Sequence, residues 1–368
     1  MIQTILNYLL EHWDSLGLPV AKPHALSFIE IAGMRNFPGK ALFLIFSEEA
    51  KIPVLFVKVS RFQIDNTTIE REYTILQYLH RECANTLITS SIPKPLLYET
   101  IGEHAVLVTD AFRGHSINRF KLSRLLFQEK DTRYNCSRVT DWLLRFHHRM
   151  KISVDGLTMD IKQQVENTFE SFLNIFALSP EEMEFADTMN PAKGSIFGKE
   201  SALYFKHGDF VPGNIFDTDS GIKVLDWEYA RKDYLPMHDL LFFFIWYSFD
   251  CAITGATSGD KLTKLQEAFF TDTWYSRLVK EQVLRYCRAL SIDPTCMPWY
   301  FFMLLLSLSV DEYTGLLKNR NSGYMAMFKG YTTPIQTPSA DVIRDGLYIN
   351  LLRIFIKRNS AFVLRDMR

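Results

Sequence analysis

The 368-residue chain is dominated by two segments, His207-Gly208-Asp209-Phe210-Val211-Pro212-Gly213-Asn214 and Val224-Leu225-Asp226-Trp227-Glu228-Tyr229. They place an Asp, an Asn five residues later, and a second Asp twelve residues further on. One carboxylate of such a set can accept the proton of a hydroxyl group. The amide oxygen and the other carboxylate can hold Mg²⁺ against a triphosphate. The pattern therefore predicts phosphoryl transfer.

The spacing resembles that of a known group of enzymes. The protein-kinase catalytic loop has the same Asp-x₄-Asn spacing, followed by a metal-binding Asp on the next hairpin. With Gly208 where protein kinases carry Arg, the His-Gly-Asp-x₄-Asn form resembles the aminoglycoside phosphotransferases. Asp226-Trp227-Glu228-Tyr229-Ala230 resembles both that branch and the choline kinases, and Pro236 and Asp239-Leu240 also fit. This resemblance covers roughly residues 30 to 250.

The resemblance implies a fold and a set of roles. The expected fold is α+β, bilobal and protein-kinase-like, with a small β-rich N-lobe (residues 1–110) and a large, mainly helical C-lobe (residues 111–368). Asp209 is expected to be the base or to orient the acceptor hydroxyl, while Asn214 and Asp226 bind Mg²⁺. His207 is expected to orient the loop by a hydrogen bond. For Glu228, a role as a second metal ligand, a place next to the metal site and a role unrelated to the metal all stay open.

A β-hairpin is predicted between the two metal residues. Ile215-Phe216 and Ile222 to Leu225 are apolar, and the polar run Asp217 to Gly221 between them is typical of a turn. The hairpin would bring Asn214 and Asp226 to one end, close enough to share a metal ion.

A lysine and a glutamate in the N-terminal part suit phosphate binding. Lys58 lies in the predicted strand Lys51 to Val59, and Glu72 lies on the predicted helix Thr67 to His80. In kinases this pair aligns the α- and β-phosphates. Glu70 is two residues from Glu72, so both cannot face Lys58. The structural alternative is that Lys58 lies at a strand edge and Glu72 is a solvated charge.

Two further segments are assigned to the nucleotide. Gly33 to Lys40 lies where a phosphate-covering loop belongs, although it lacks the G-x-G-x-x-G pattern and an ordinary turn is an alternative. The segment Ala105 to Gly114 resembles the last small-lobe strand and the linker of the family. The resemblance implies that linker backbone groups bind adenine, at Thr109, Asp110, Ala111 and Phe112.

Periodicity and capping signals predict the remaining main elements. A strand is expected at Ala41 to Phe46, and helices at Arg138 to Met150 and Val165 to Phe176. A further helix should begin at Pro180, after the capping residue Ser179. The aromatic runs after residue 240 are expected to be mostly core.

Composition excludes several classes of protein. The net charge is −1 and 47% of residues are hydrophobic, so nothing favours binding to nucleic acid or to an anionic membrane. Five scattered cysteines without a C-x-x-C pair suit reduced thiols in the cytoplasm. The apolar runs at residues 240–249 and 297–310 are shorter than the roughly 20 residues that span a bilayer. The sequence predicts a cytoplasmic protein without a membrane span.

The predicted activity is transfer of the γ-phosphoryl group of ATP, with GTP as an alternative donor, to a hydroxyl of a small molecule. Residues 231–368 carry 17 Lys and Arg against 13 Asp and Glu, which favours a sugar-like or other neutral or anionic acceptor over a polycation. The alternatives are a choline or ethanolamine kinase, an aminoglycoside kinase, and a nucleotide-binding pseudokinase scaffold.

Overall fold

The structure is a computed structural model of the chain. It describes residues 1–31, 40–48, 52–117, 129–152, 158–189, 202–251, 253, 260–321 and 346–367. Of the predicted phosphate loop, Gly33 to Lys40, only Lys40 lies within the described residues.

The chain divides into two compact units. The first comprises residues 1–117 and 213–230, and the second comprises residues 118–212 and 231–368. The hairpin with Asn214 and Asp226 therefore belongs with the N-terminal residues. The boundary after residue 110 inferred from the sequence stays a prediction.

The first unit is built on a five-stranded antiparallel sheet with the strand order β1-β2-β3-β5-β4. A second sheet has the order β10-β9-β6. The elements of this unit are α1 (Ile2–Glu11), β1 (Leu26–Ile31), β2 (Lys40–Ser47), β3 (Leu55–Ser60), α2 (Asn66–Glu82), β4 (Pro95–Ile101), β5 (His104–Asp110), β6 (Gly114–Ser116), β9 (Ile215–Thr218) and β10 (Gly221–Val224).

The two faces of the five-stranded sheet carry different residues because side chains alternate along a strand. Phe43, Val57 and Val59 are buried in one apolar cluster with Trp13 and residues of α1. Lys58 is the residue between Val57 and Val59, so its side chain lies on the opposite face. That face contains the polar residues considered below.

Helix α2 places a glutamate on its buried stripe. Ile69, Glu72, Leu76 and Leu79 are all buried, at the spacing of one helix face, whereas Glu70 is exposed. Glu72 is therefore the acidic residue of this helix that points inward, as the sequence predicted.

The second unit is mainly helical, with one small sheet of the order β11-β8-β7. Its elements are α3 (Glu129–Arg149), β7 (Lys151–Ile152), α4 (Thr158–Ile175), α5 (Pro180–Thr188), β8 (Leu203–Lys206), β11 (Arg231–Tyr234), α6 (His238–Phe249), α7 (Lys261–Phe269), α8 (Trp274–Leu290), α9 (Met297–Asn321) and α10 (Leu347–Lys357). Aromatic residues fill its core: Phe243, Phe244, Tyr275 and Phe301 are completely buried. The expectation that most of these aromatic residues are core is confirmed.

Most predicted elements are present, with shifted ends. Helix α3 begins at Glu129 instead of Arg138, because its first turns carry few apolar residues and give no hydrophobic period. Strand β3 begins at Leu55, after Pro53, which lacks the N–H that a ladder requires. Within the described ranges, no helix combines the length and the apolar character that crossing a bilayer requires.

Candidate active site

Lys58 and Glu72 form a buried ion pair in the first unit. The Lys58 ammonium donates to both carboxylate oxygens of Glu72, at 2.6 and 2.8 Å, and the two residues are 6% and 2% exposed. Removing one partner of such a buried pair costs about 3–5 kcal/mol, because the other charge is left uncompensated. The structure thus brings this predicted pair together, and the alternative of a solvated Glu72 is wrong.

Asp226 contacts the same lysine. Its Oδ1 accepts from Lys58 Nζ at 2.8 Å and from Lys40 Nζ at 2.9 Å. Asp226 has a φ of 66°, in the left-handed region that Asp tolerates better than most residues. Asp226 lies two residues after the end of strand β10, and its carboxylate contacts both ammonium groups.

The turn after Asp226 is tied to helix α2. The backbone N–H of Trp227 donates to Glu72 Oε1 at 3.3 Å, and Arg71 donates to the carbonyl oxygen of Ala230 at 3.0 Å. Trp227 is fully buried. Glu72 therefore fixes both the lysine and the turn that carries Asp226.

Lys40 is a site residue to which the sequence analysis gave no role of its own, naming it only as the last residue of the predicted phosphate loop. Its ammonium contacts Asp226 Oδ1 and also Glu228 Oε2, and Glu228 is buried. In the antiparallel register Lys40 pairs with Ser60, and Leu42 pairs with Lys58. Directly opposed residues share a face, so Leu42 lies on the face of Lys58. Side chains two residues apart on a strand also share a face, so Lys40 lies on that face too. The alternation of side chains along β2 could have indicated which face Lys40 occupies. Whether Lys58 lies on that same face depends on the register between β2 and β3, which the sequence does not show.

The charges in this cluster shift one another's pKa values. Burial alone would raise the pKa of Asp226, but the ammonium groups of Lys58 and Lys40 outweigh it and hold the pKa well below its ordinary value. Burial would lower the pKa of Lys58, yet Asp226 and Glu72 keep it above its ordinary value. Burial and the charge of Asp226 raise the pKa of Glu228, against the opposing effect of Lys40. Burial likewise would lower the pKa of Lys40, but Asp226, Glu72 and Glu228 keep it above its ordinary value. Asp226 and both lysines are therefore charged at neutral pH.

The donor atoms suit a hard divalent cation. Glu72, Asp226 and Glu228 each offer a carboxylate oxygen, and these oxygens lie within 4.8 Å of one another. Asn214 stands at the same end of the hairpin as Asp226, because its carbonyl oxygen accepts the N–H of Leu225 at 2.9 Å. Carboxylate and amide oxygens are the ligands that Mg²⁺ prefers. The residues present therefore fit the predicted ion.

Asp209 lies in the second unit, on a loop held by Asp239. The Asp239 carboxylate accepts the backbone N–H groups of His207, at 2.7 Å, and Gly208, at 3.1 Å. His207 Nδ1 in turn accepts the N–H of Asp209 at 3.2 Å, which confirms the expected orienting bond. Gly208 has a φ of 87°, which glycine adopts without strain. Asp209 itself is half-buried.

The predicted adenine linker lies at the end of β5 in the first unit. Asp110 pairs with Lys223 at 3.2 Å and also accepts the N–H of Lys94. The N–H of Ala111 lies 3.4 Å from the carbonyl oxygen of Val54, a long hydrogen bond. Phe112 packs edge-on against Phe216. A role for Thr109 to Phe112 in binding adenine stays a prediction.

Several solved structures of small-molecule kinases resemble this chain. A candidate aminoglycoside phosphotransferase from Ralstonia eutropha JMP134 is 13% identical, with a TM-score of 0.56 over 97% of this chain and 98% of its own. A thermostable mutant of the aminoglycoside phosphotransferase APH(4)-Ia, solved with ADP and hygromycin B, is 10% identical, with a TM-score of 0.53 over 95% and 98%. The choline kinase LicA from Streptococcus pneumoniae is 13% identical, with a TM-score of 0.50 over 98% and 100%.

The fold is that of the aminoglycoside phosphotransferases and choline kinases. The predicted α+β, kinase-like fold class is confirmed. The likeness of this kinase-like fold extends over nearly the whole chain, beyond the part from residue 30 to residue 250 in which the sequence alone shows it. No protein-family model matches the sequence, and no curated protein does.

Proposed function

We propose that the protein transfers the γ-phosphoryl group of ATP to a hydroxyl group of a small molecule. The observation that carries this proposal is the Lys58–Glu72 pair bonded to Asp226, since a kinase needs a fixed ammonium beside a metal-binding carboxylate. The kinase-like fold supports it, because the structural neighbours include proteins solved with ADP or AMP-PNP.

Each predicted residue has a role in this proposal. Lys58 binds the nucleotide phosphates, and Glu72 positions Lys58. Asn214 and Asp226 hold Mg²⁺, which when bound neutralises phosphate charge and orients the triphosphate. Asp209 accepts the proton of the acceptor hydroxyl or orients that hydroxyl. Backbone groups of residues 109–112 bind adenine, and GTP is the alternative donor.

For the acceptor we propose a neutral, sugar-like hydroxyl compound. The basic balance of residues 231–368 disfavours a polycation. A polyanion is disfavoured by acidic residues in the same unit as Asp209. Burial first, and then Glu312, Asp209 and Asp311, raise the pKa of Tyr348. Glu312 also accepts the backbone N–H of Tyr348 at 3.4 Å, which places a carboxylate beside this residue. A neutral acceptor avoids repulsion both by the basic residues and by these carboxylates.

An acceptor screen coupled to ADP release tests the function. The panel should include neutral sugars, choline and ethanolamine, and kanamycin-like aminoglycosides, each at two salt concentrations. We expect release with a neutral sugar-like acceptor and little dependence on salt. Efficient, salt-sensitive phosphorylation of an aminoglycoside would overturn the acceptor preference. Tight nucleotide binding without turnover of any acceptor would favour the scaffold.

A further inference from the structure

Three carboxylates and two ammonium groups share one cluster in the first unit. Glu72, Asp226 and Glu228 provide the negative charges, and Lys40 and Lys58 provide the positive ones. The two lysines converge on one atom, Oδ1 of Asp226, at 2.9 and 2.8 Å. The cluster is nearly balanced in charge before any ligand enters it.

The two lysines are held to different extents. Lys58 is bound at both oxygens of Glu72 in addition to Asp226, and its side chain is 7% exposed. The Lys40 ammonium donates to Asp226 and Glu228 and not to Glu72. Its side chain is 14% exposed. Lys40 is therefore the ammonium whose withdrawal leaves the Lys58–Glu72 pair intact.

The position of Lys40 matters for a metal ion. The Lys40 ammonium is already bonded to the carboxylates of both Asp226 and Glu228. A divalent cation that arrives without a nucleotide must therefore displace this ammonium or bind next to it, and positive charges in such close contact repel strongly. A Mg²⁺–ATP complex carries net negative charge, and its phosphates can accept the displaced ammonium. The arrangement thus opposes the free ion and favours the ion that arrives with a nucleotide.

We infer that Lys40 acts as an internal counter-cation of the Asp226–Glu228 pair and makes metal binding depend on nucleotide. This inference rests on the proposed metal-binding role of Asp226. It makes Lys40 a positioning residue that couples two binding events, and such coupling is reciprocal: nucleotide tightens metal binding and metal tightens nucleotide binding.

Direct titration of a metal into the nucleotide-free protein tests the inference. Mn²⁺ serves as the probe, with free Mn²⁺ measured by electron paramagnetic resonance. We expect Lys40→Met to bind Mn²⁺ roughly tenfold or more tighter than the parent, because the competing charge is removed. Lys40→Arg keeps the charge and should resemble the parent. The increase in Mn²⁺ affinity caused by ADP should shrink by a similar factor in Lys40→Met.

Controls separate this inference from the proposed function. Lys22→Met changes an exposed lysine of the same unit and should alter nothing. If Lys40→Met does not fold, judged by its urea unfolding curve, Lys40→Gln replaces it as the neutral variant.

Two outcomes overturn the inference. If Asp226→Asn weakens Mg·ATP binding but the neutral Lys40 variant binds free Mn²⁺ like the parent, the inference is wrong and the metal site stands. If Asp226→Asn binds Mg·ATP like the parent, the metal assignment of the proposed function fails, and the inference fails with it.

Discussion

Asp239 accepts the backbone N–H of His207 at 2.7 Å, and this bond ties the loop that carries Asp209 to the first turn of helix α6. The second oxygen of Asp239 accepts the N–H of Gly208. Because Asp239 is 1% exposed, water cannot replace either bond. One buried carboxylate therefore sets the backbone path into the proposed catalytic loop.

Asp239→Asn should loosen this loop. An amide has one oxygen where the carboxylate has two, so one backbone N–H loses its acceptor, at a cost of about 1–3 kcal/mol. We expect a lower midpoint in urea unfolding and a lower kcat with little change in the affinity for Mg·ATP. Glu184→Gln alters an exposed carboxylate of the same unit and is the matched control. Unchanged stability and turnover in Asp239→Asn would show that the loop is held by other contacts.

Asp209→Ala should abolish phosphorylation of the acceptor while leaving Mg·ATP binding nearly intact. The proposed base touches the acceptor and not the nucleotide, so kcat should fall by several powers of ten as positioning and proton acceptance fail together. ADP release reports turnover, and calorimetry with Mg·ATP reports binding. Full turnover by the purified variant would rule Asp209 out as the base.

Asp226→Asn should weaken Mg²⁺-dependent nucleotide binding, by roughly tenfold or more, because it removes one of the few charged ligands. Asn214→Ala should have the same effect to a smaller extent. Calorimetric titration with ATP, with and without Mg²⁺, measures both. Asp219→Asn, at an exposed position of the same hairpin, should behave like the parent. Parent-like Mg·ATP binding by Asp226→Asn would place the metal elsewhere.

The buried His147 should make the protein sensitive to acid. Burial lowers its pKa from 6.5 to about 4. The carbonyl oxygen of Phe205 accepts from Nε2 at 3.1 Å, so Nδ1 accepts the hydroxyl hydrogen of Tyr286 and the ring is neutral.

The sign of this effect follows from proton linkage. Below pH 6.5 the unfolded chain binds a proton at this position that the folded protein does not accept until about pH 4. The contribution of His147 to the free energy of unfolding is therefore complete above pH 6.5. It decreases by about 3 kcal/mol as the pH falls towards 4. His238, whose pKa burial also lowers to about 4, acts in the same direction.

Urea unfolding between pH 7 and pH 4 measures this dependence. His147→Gln keeps a donor and an acceptor but cannot titrate, so its stability should change less steeply over this range. His148→Gln, at the exposed neighbouring position, should retain the slope of the parent. A parent-like slope in His147→Gln would assign the acid sensitivity to other groups.

Several features were predictable from the sequence because their causes are local. The β9–β10 hairpin forms around a polar turn whose residues are adjacent in the chain. Helix α5 begins with a capping box in which Ser179 and Glu182 bond each other's backbone N–H groups, three residues apart. The inward direction of Glu72 follows from the apolar period of α2.

Other features depend on contacts between distant parts of the chain. Lys40 reaches Asp226 and Glu228, residues that follow it by 186 and 188 positions, and it does so because the register of β2 with β3 places it on the face of Lys58. Glu228 is buried, and the ammonium that pairs with it comes from strand β2. Residue spacing and turn residues act between near neighbours in the chain, so the elements that they determine could be predicted from the sequence. Strand register and the pairing of buried charges are fixed only when the chain packs, and no short segment of the sequence encodes them.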